Sequence, residues 1–346
     1  MSASRVRAHA PGRVNLIGDH TDYTGGLALP MAIDLGIDVV FERDDTRDRV
    51  ELTSGDRPGR ATVDRAEPLA SLGHDAPRWA RYVAGVVETV KPPAGGVGTV
   101  TSNLPIGAGL ASSAALEIAV ALALGFEGTR VQLAQACQRA EQVAAGVPCG
   151  VMDQLASACG RRGHALLVDC ASLVVSPVAL PDDVEVVALH SGRARGLAGS
   201  AYAARRAECE AAATAVGPLR EATLAEVESI CDPVLRRRAR HVVAENSRVR
   251  AAAEAIASGD LASAGVEMTA SHRSLAKDFE VSTPSLDALV EELLGTPGVL
   301  GARMTGAGFG GCVVALTEPG VVVPDNRQGW VLRASTGASV EVVESL

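Results

Sequence analysis

Between Ala10 and Tyr23 the chain reads APGRVNLIGDHTDY, which sets Arg13, Asp19, His20 and Asp22 within ten residues. The residues around them are apolar, Val14, Leu16 and Ile17, with Gly12 and Gly18 as hinges. A solvated face spreads its charges through a polar run. Here a guanidinium, two carboxylates and an imidazole are set into an apolar strand-and-turn pattern. That density of charged and titratable groups needs a chemical reason.

A second chemical signal is LPIGAGLASSAALEIAV. Gly107 and Gly109 let the backbone curl closely round an anion, and the helix that follows offers free N–H groups and the positive end of its dipole. Ser112 and Ser113, at the helix start, can cap the helix or ligate a metal. The stretch has neither the Lys-Ser/Thr ending of a P-loop nor the dinucleotide G-x-G-x-x-G spacing, so read by itself it serves structure as well as it serves phosphate. The same ambiguity holds for MTGAGFGGCVVAL, where Gly306, Gly308, Gly310 and Gly311 imply close backbone approach. Asp153, in GVPCGVMDQLAS, opens an apolar helix, where an acid is stabilised by the dipole; its alternative is a base beside a hydroxyl nucleophile. Glu141, on CQRAEQVAAG, reads as an exposed carboxylate unless a metal-bound nucleotide lies nearby.

The elements that must position these groups follow from periodicity. The stretch 27–53 and GVGTVTSNLP are β-branched or alternating runs that read as strands. WARYVAGVVETV repeats Trp79, Tyr82, Val83, Val86 and Val87 at helical spacing, and TRVQLAQACQRAEQVAAG is a helix stopped by Gly146. Helices dominate from SAYAARRAECEAAATAV to about residue 295, before a strand at GARMTGAGFGGCVVAL. Strands and helices mix without strict alternation, which predicts an α+β fold in two parts, 1–175 and 176–346. With 346 residues, 47% of them hydrophobic and 21% charged, the chain can bury large cores.

A net charge of −9 speaks against nucleic acid as a partner. LRRRAR, from Leu235 to Arg240, reads as a solvated helix face because Glu245 and other glutamates surround it. Neither a signal peptide nor an apolar run of membrane-spanning length is present, and the seven cysteines form no C-x-x-C pair. The expectation is a cytoplasmic, monomeric protein away from membranes, its cysteines mostly small buried residues.

GRVNLIGDHTDY, LPIGAGLASSAALEIA and MTGAGFGGCVVAL, in that order, resemble the three signature motifs of the GHMP kinases, and the first, with GLALPMAID after it, resembles the galactokinases among them. PRWARYVAGV, GVPCGVMDQ, GHALLVDC and SAYAARRAECE extend the resemblance to about residue 316. It implies a two-domain fold with the active site in the cleft, and transfer of the ATP γ-phosphate to a sugar hydroxyl with Mg2+. By the same resemblance Arg13 and Asp153 form the catalytic pair, and Asp19, His20, Asp22, Gly150 and Tyr202 hold the sugar. Gly107, Ala108, Gly109, Leu110, Ala111, Ser112 and Ser113 form the phosphate loop, with Trp79 and Tyr82 at the adenine and Ser113 and Glu141 as magnesium ligands.

Three departures qualify the likeness. Asp19 stands where those kinases usually carry Glu, HSGRARG (residues 190–196) replaces an Asn-rich stretch, and the tail lacks the helix expected between its last two strands. They leave two alternatives to a galactose kinase: a kinase for another sugar or cyclitol, and a sugar- and ATP-binding sensor without turnover.

Overall fold

The computed structural model describes residues 4–105, 107–146, 148–193, 198–321 and 327–343. The first half runs β1 (Ser4–Asn15), β2 (Leu27–Ala28), β3 (Pro30–Asp44), β4 (Arg49–Ser54), β5 (Arg60–Asp64), α1 (Ala80–Val90) and β6 (Gly95–Ser102). It continues with α2 (Ser112–Ala123), α3 (Arg130–Ala145), α4 (Met152–Cys159), β7 (His164–Asp169) and β8 (Val174–Ala179). The second half contains β9 (Glu185–His190), α5 (Ala198–Val216), α6 (Leu224–Glu228), α7 (Pro233–Ser258), α8 (Leu261–Lys277) and α9 (Pro284–Leu294). Its last strands are β10 (Val299–Met304), β11 (Cys312–Thr317), β12 (Gly329–Leu332) and β13 (Ser339–Val342).

One sheet has the order β13-β1-β3-β6-β4-β5, antiparallel except for the parallel pair of β4 and β6. Helices α1, α2 and α4 pack on it, and α3 packs on those three. Between sheet and α3, helix α2 is buried from Ala114 to Ala121 without a polar stripe, which its alanine-rich, apolar sequence permits and an amphipathic helix would not. A four-stranded sheet, β10-β11-β9-β12, carries α8 and α9, while β2, β7 and β8 form a small third sheet that α7 touches. The chain is thus α+β, but its halves interlock: β13 returns to pair with β1, so the sequence division at 175/176 does not separate the sheets. No helix lies between β12 and β13 among the described residues, in keeping with the sequence.

Local signals set the helix ends. Thr129 and Gln132 form a capping box at the start of α3, whose other end is Gly146 in the left-handed conformation. Asp232 accepts from the Val234 and Leu235 N–H groups ahead of Pro233 at the start of α7. Among the described residues no helix is long and apolar enough to cross a membrane. Cys137, Cys170, Cys209 and Cys312 are buried, while Cys231 is exposed.

Helix α7 corrects the reading of LRRRAR as a solvated face. Arg238 is buried, ion-paired with Glu208 and Glu280 at 2.6 Å each, and it donates to the Asp278 carbonyl. Glu245 is fully buried. It accepts the Gly18 N–H (3.0 Å) and the Ser271 hydroxyl, and pairs with Arg248 at 2.7 Å. The reason is packing: α5, α8 and β2 press on α7, so its inward charges persist only because each finds a partner. Burial raises the Glu245 pKa, but His241, Arg248 and Arg303 outweigh burial and hold it below the usual glutamate value. Glu245→Leu should therefore lower folding stability by about 3–5 kcal/mol, since it strands Gly18 N–H, Ser271 and Arg248 together. Urea unfolding measures it, and Glu245→Gln, which keeps an acceptor, should lose less.

Candidate active site

Strand β1 carries a bulge between Pro11 and Arg13, and a bulge re-aims the side chain beside it. Arg13 is tied to the phosphate loop twice. Its N–H donates to the Leu110 carbonyl (3.1 Å) and its Nη1 to the Gly109 carbonyl (2.7 Å). The rest of the guanidinium grips Asp153 side-on, Nε to Oδ1 at 2.7 Å and Nη2 to Oδ2 at 2.5 Å. The arginine side chain is almost fully buried, whereas the carboxylate is 27% exposed, so Asp153 has lone pairs left for a ligand.

Asp153 opens onto a cavity of about 140 Å3. Its walls include Arg13, Asp19, His20, Asp22, Glu141, Gly150 and Tyr202, so the expected catalytic and sugar residues converge from both halves of the chain. Cys149, Met152, Gly306 and Ala307 complete it. Gly150 must be glycine because any Cβ there would run into the Asp22 carboxylate. Burial, with Asp153 close by, pushes the Asp22 pKa up to about 7. Tyr202, from α5, lines the same cavity, its ring 5.6 Å from the His20 ring and edge-on to the Tyr23 ring at 5.3 Å.

Two residues are more committed than the sequence implied. Asp19 is buried, its Oδ1 accepting Gly306 N–H at 3.0 Å and its Oδ2 lying 2.6 Å from Arg303 Nη2. The shorter side chain of Asp19 therefore serves first as a clamp between the turn and the glycine loop of the second half. Burial raises its pKa against the pull of Arg303 and Arg13. His20 is held neutral, its pKa lowered to about 3 by burial and by His241. A neutral ring must donate from Nε2 to the Ala307 carbonyl (3.2 Å), which leaves Nδ1 to accept the Tyr23 hydroxyl (3.0 Å). In this state both nitrogens are spent on the protein.

A second cavity, about 470 Å3, is lined by Trp79, Tyr82, Gly107, Ser112 and Ser113. Ile37, Asp56, Arg57 and Arg78 share it. Gly107, Gly109 and Ala111 all adopt left-handed φ values of 73°, 81° and 58°, which curl the loop. Ala108, Leu110 and Ala111 are buried beneath it, so their part is played by backbone. Neither serine caps α2. Instead the Ser113 hydroxyl donates to Glu141 Oε1 at 2.7 Å, and because Ser113 lines the second cavity and Glu141 the first, this bond lies in the wall between them. Glu141 is half-buried rather than exposed, its pKa raised by burial and by Asp153.

Sequence reasoning missed Arg303, Glu245, Glu117 and Gln154. Only Gln154 carried a signal, as the residue after Asp153. Of HSGRARG, residues 194–196 lie outside the described residues; Ser191 N–H donates to Gly311 O, and Gly311 N–H to Arg193 O, pinning the start of the stretch to the glycine loop.

Residues 2–43 match the galactokinase galactose-binding signature, residues 81–161 the GHMP kinase N-terminal domain and residues 252–323 the GHMP kinase C-terminal domain. Galactokinases from Homo sapiens and Bos taurus are each 47% identical over 324 residues, covering 89% of this chain and 83% of theirs. The crystal structure of Lactococcus lactis galactokinase complexed with galactose superposes with a TM-score of 0.88 at 31% identity, covering 97% of this chain and 95% of that one. Methanococcus jannaschii mevalonate kinase, at 19% identity and a TM-score of 0.67, shares the fold. The chain belongs to the GHMP kinase superfamily and, within it, to the galactokinases.

Proposed function

We infer that this chain transfers the γ-phosphoryl group of ATP to the anomeric hydroxyl of α-D-galactose. The observation that carries this reading is the double grip of Arg13, which holds Asp153 with one edge and the phosphate-loop carbonyl of Gly109 with another. Phosphoryl transfer depends on positioning and on neutralising charge, and Arg13 supplies both where a sugar cavity meets a nucleotide cavity. Asp153 orients the attacking hydroxyl and takes its proton. As the sugar O–P bond forms, the bond from the γ-phosphorus to the bridging oxygen breaks and ADP leaves with that oxygen. The N–H groups at the start of α2 face the phosphates.

Ser113 and Glu141 are the residues that would hold Mg2+. Both offer hard oxygen donors 2.7 Å apart, and two protein oxygens suit a cation that completes its shell with phosphates and water. When bound, the ion would neutralise charge on the β- and γ-phosphates. Trp79 and Tyr82 would flank the adenine, and the buried, unpartnered indole N–H of Trp79 fits a wall made for a ligand. Cys137, Cys149, Cys159, Cys170, Cys209 and Cys231 form no disulfide, which suits a reducing cytoplasm. Against the sensor alternative stand two formed pairs, Arg13 with Asp153 and Ser113 with Glu141. A different sugar remains the reading to test against galactose, because Asp19 gives part of its carboxylate to Arg303.

A coupled ADP-release assay with Mg-ATP and a panel of galactose, glucose, N-acetylgalactosamine and a cyclitol tests the reading directly; strong turnover on galactose is expected, and turnover only on another member replaces the substrate. Asp153→Asn should lower kcat by about 10^3-fold with ATP binding retained, read by the same assay and by calorimetry. Gly150→Ala should raise the KM for galactose by about tenfold or more, since it displaces the Asp22 carboxylate. Asp22 also predicts a pH effect. Its folded pKa of about 7 lies above the unfolded 3.8. The group therefore stabilises fully below the unfolded value, and that stability is lost as pH rises through about 7. Asp22→Asn should flatten the thermal midpoint of the ligand-free protein between about pH 5 and 8, and raise it at about pH 8, while weakening galactose binding.

A further inference from the structure

Behind Glu141 lies a buried polar cluster that the reaction as described does not use. Glu117, on α2, and Gln154, on α4, are both fully buried. Gln154 Nε2 donates to Glu141 Oε2 at 2.6 Å and to Glu117 Oε2 at 3.2 Å. A side-chain amide has two N–H donors, and here each serves one carboxyl group. Glu117 Oε1 and Gln154 Oε1 are buried without hydrogen-bond partners. Orphaned polar atoms in a packed interior cost free energy, and apolar side chains of the same volume would tie the three helices together without that cost. The cluster therefore has a task that apolar packing cannot perform.

The task is visible at Glu141. Its Oε1 accepts from Ser113 and its Oε2 from Gln154, so a carboxylate that could otherwise rotate is fixed at both oxygens. Gln154 follows Asp153 on α4, so two successive residues serve the two cavities: Asp153 meets Arg13, and Gln154 meets Glu141. We propose that Gln154 is a positioning residue for Glu141, holding its carboxylate at Ser113 in readiness for the nucleotide's divalent cation, with Glu117 as the anchor that fixes the Gln154 amide. The proposal rests on the reading of Ser113 and Glu141 as the cation's protein ligands. Mg2+ demands near-ideal octahedral geometry, so a carboxylate set in advance is worth more to it than a mobile one. Groups that orient metal ligands cost about 10–100-fold in metal affinity when removed.

The test is a Mn2+ titration followed by electron paramagnetic resonance, on the full chain with ADP and no sugar, so that turnover plays no part. Gln154→Leu should weaken Mn2+ binding in the ADP complex by about tenfold or more, with galactose affinity by calorimetry unchanged. Glu117→Leu should weaken it by a smaller factor. Glu117→Gln should restore it, because the introduced amide oxygen still accepts the Gln154 N–H. A folded Gln154→Leu protein with parental Mn2+ affinity overturns the proposal. If that variant does not fold, the pair at 117 decides, and equal Mn2+ affinity in Glu117→Leu and Glu117→Gln overturns it equally. A parent protein that adds nothing to the affinity of ADP alone for Mn2+ overturns the ligand assignment of Ser113 and Glu141, and the proposal with it.

Discussion

The grip of the buried Arg13 guanidinium on Asp153 sets how the negative charge of the site is shared out. Asp19, Asp22, Asp153 and Glu141 all face the same cavity, and burial works against ionising each of those with a raised pKa. Arg13 is committed to Asp153 at short range and lowers Asp19 and Asp22 only at a distance. The consequence is a gradient of charge. Asp153 is held by the cation, Asp19 leans on a second cation, Arg303, and Asp22, with neither in contact, has the pKa that burial and Asp153 push up to about 7. A ligand with alternating donors and acceptors suits such a site, because a carboxyl that can exist in either form can accept from one hydroxyl or donate to another.

The sugar-reading turn belongs to the first half of the chain by sequence but is held by the second. Gly18 N–H is bonded by Glu245 of α7, the Asp19 carbonyl by His241, the Asp19 carboxylate by Arg303 and Gly306 N–H, and His20 by the Ala307 carbonyl. Thr305 bonds the Asn15 backbone on both sides. These contacts make the glycine-rich loop after β10 a buttress for the sugar pocket. The Trp79–Ser113 cavity, in contrast, is lined by residues of the first half alone. On the proposed function, nucleotide contacts would depend on one layer, whereas sugar contacts would depend on how the two halves meet.

What the sequence disclosed and what it hid divide along a physical line. APGRVNLIGDHTDY stood out because it concentrates unusual chemistry in a short window, whereas the Gly107–Gly109 turn and Asp153 were ambiguous by residue type and took their reading from the family resemblance; α3 was legible to its last residue because Thr129 and Gly146 punctuate it. Glu245 and Arg238 were misread because a charged residue on a long helix is normally solvated, and the partners that make burial tolerable are distant in sequence; Gly18 is 227 positions from Glu245. The double commitment of His20 was hidden for the same reason, since its acceptor, the Ala307 carbonyl, is a backbone atom that residue type does not advertise. The departure at Asp19 was visible, but its meaning depended on Arg303, which the sequence offered only as a basic residue ahead of a glycine run.

The wall between the two cavities is where these constraints meet. It is built from the Ser113–Glu141 bond, the Arg13–Asp153 grip and the Gly109 carbonyl, on elements that come from four places in the first half. A wall of hydrophobic side chains would separate the ligands equally well, but it would present nothing to the charge that develops as a phosphoryl group passes between them. This wall offers a cation on one side, oxygen donors for another on the other, and peptide N–H groups at the head of α2. Such groups act only if they are already in place when the charge moves, because reorganising them would consume the stabilisation they provide. The left-handed Ala111 fits this requirement. A non-glycine residue in that conformation costs about 1–2 kcal/mol, a strain retained where it sets the angle at which α2 begins.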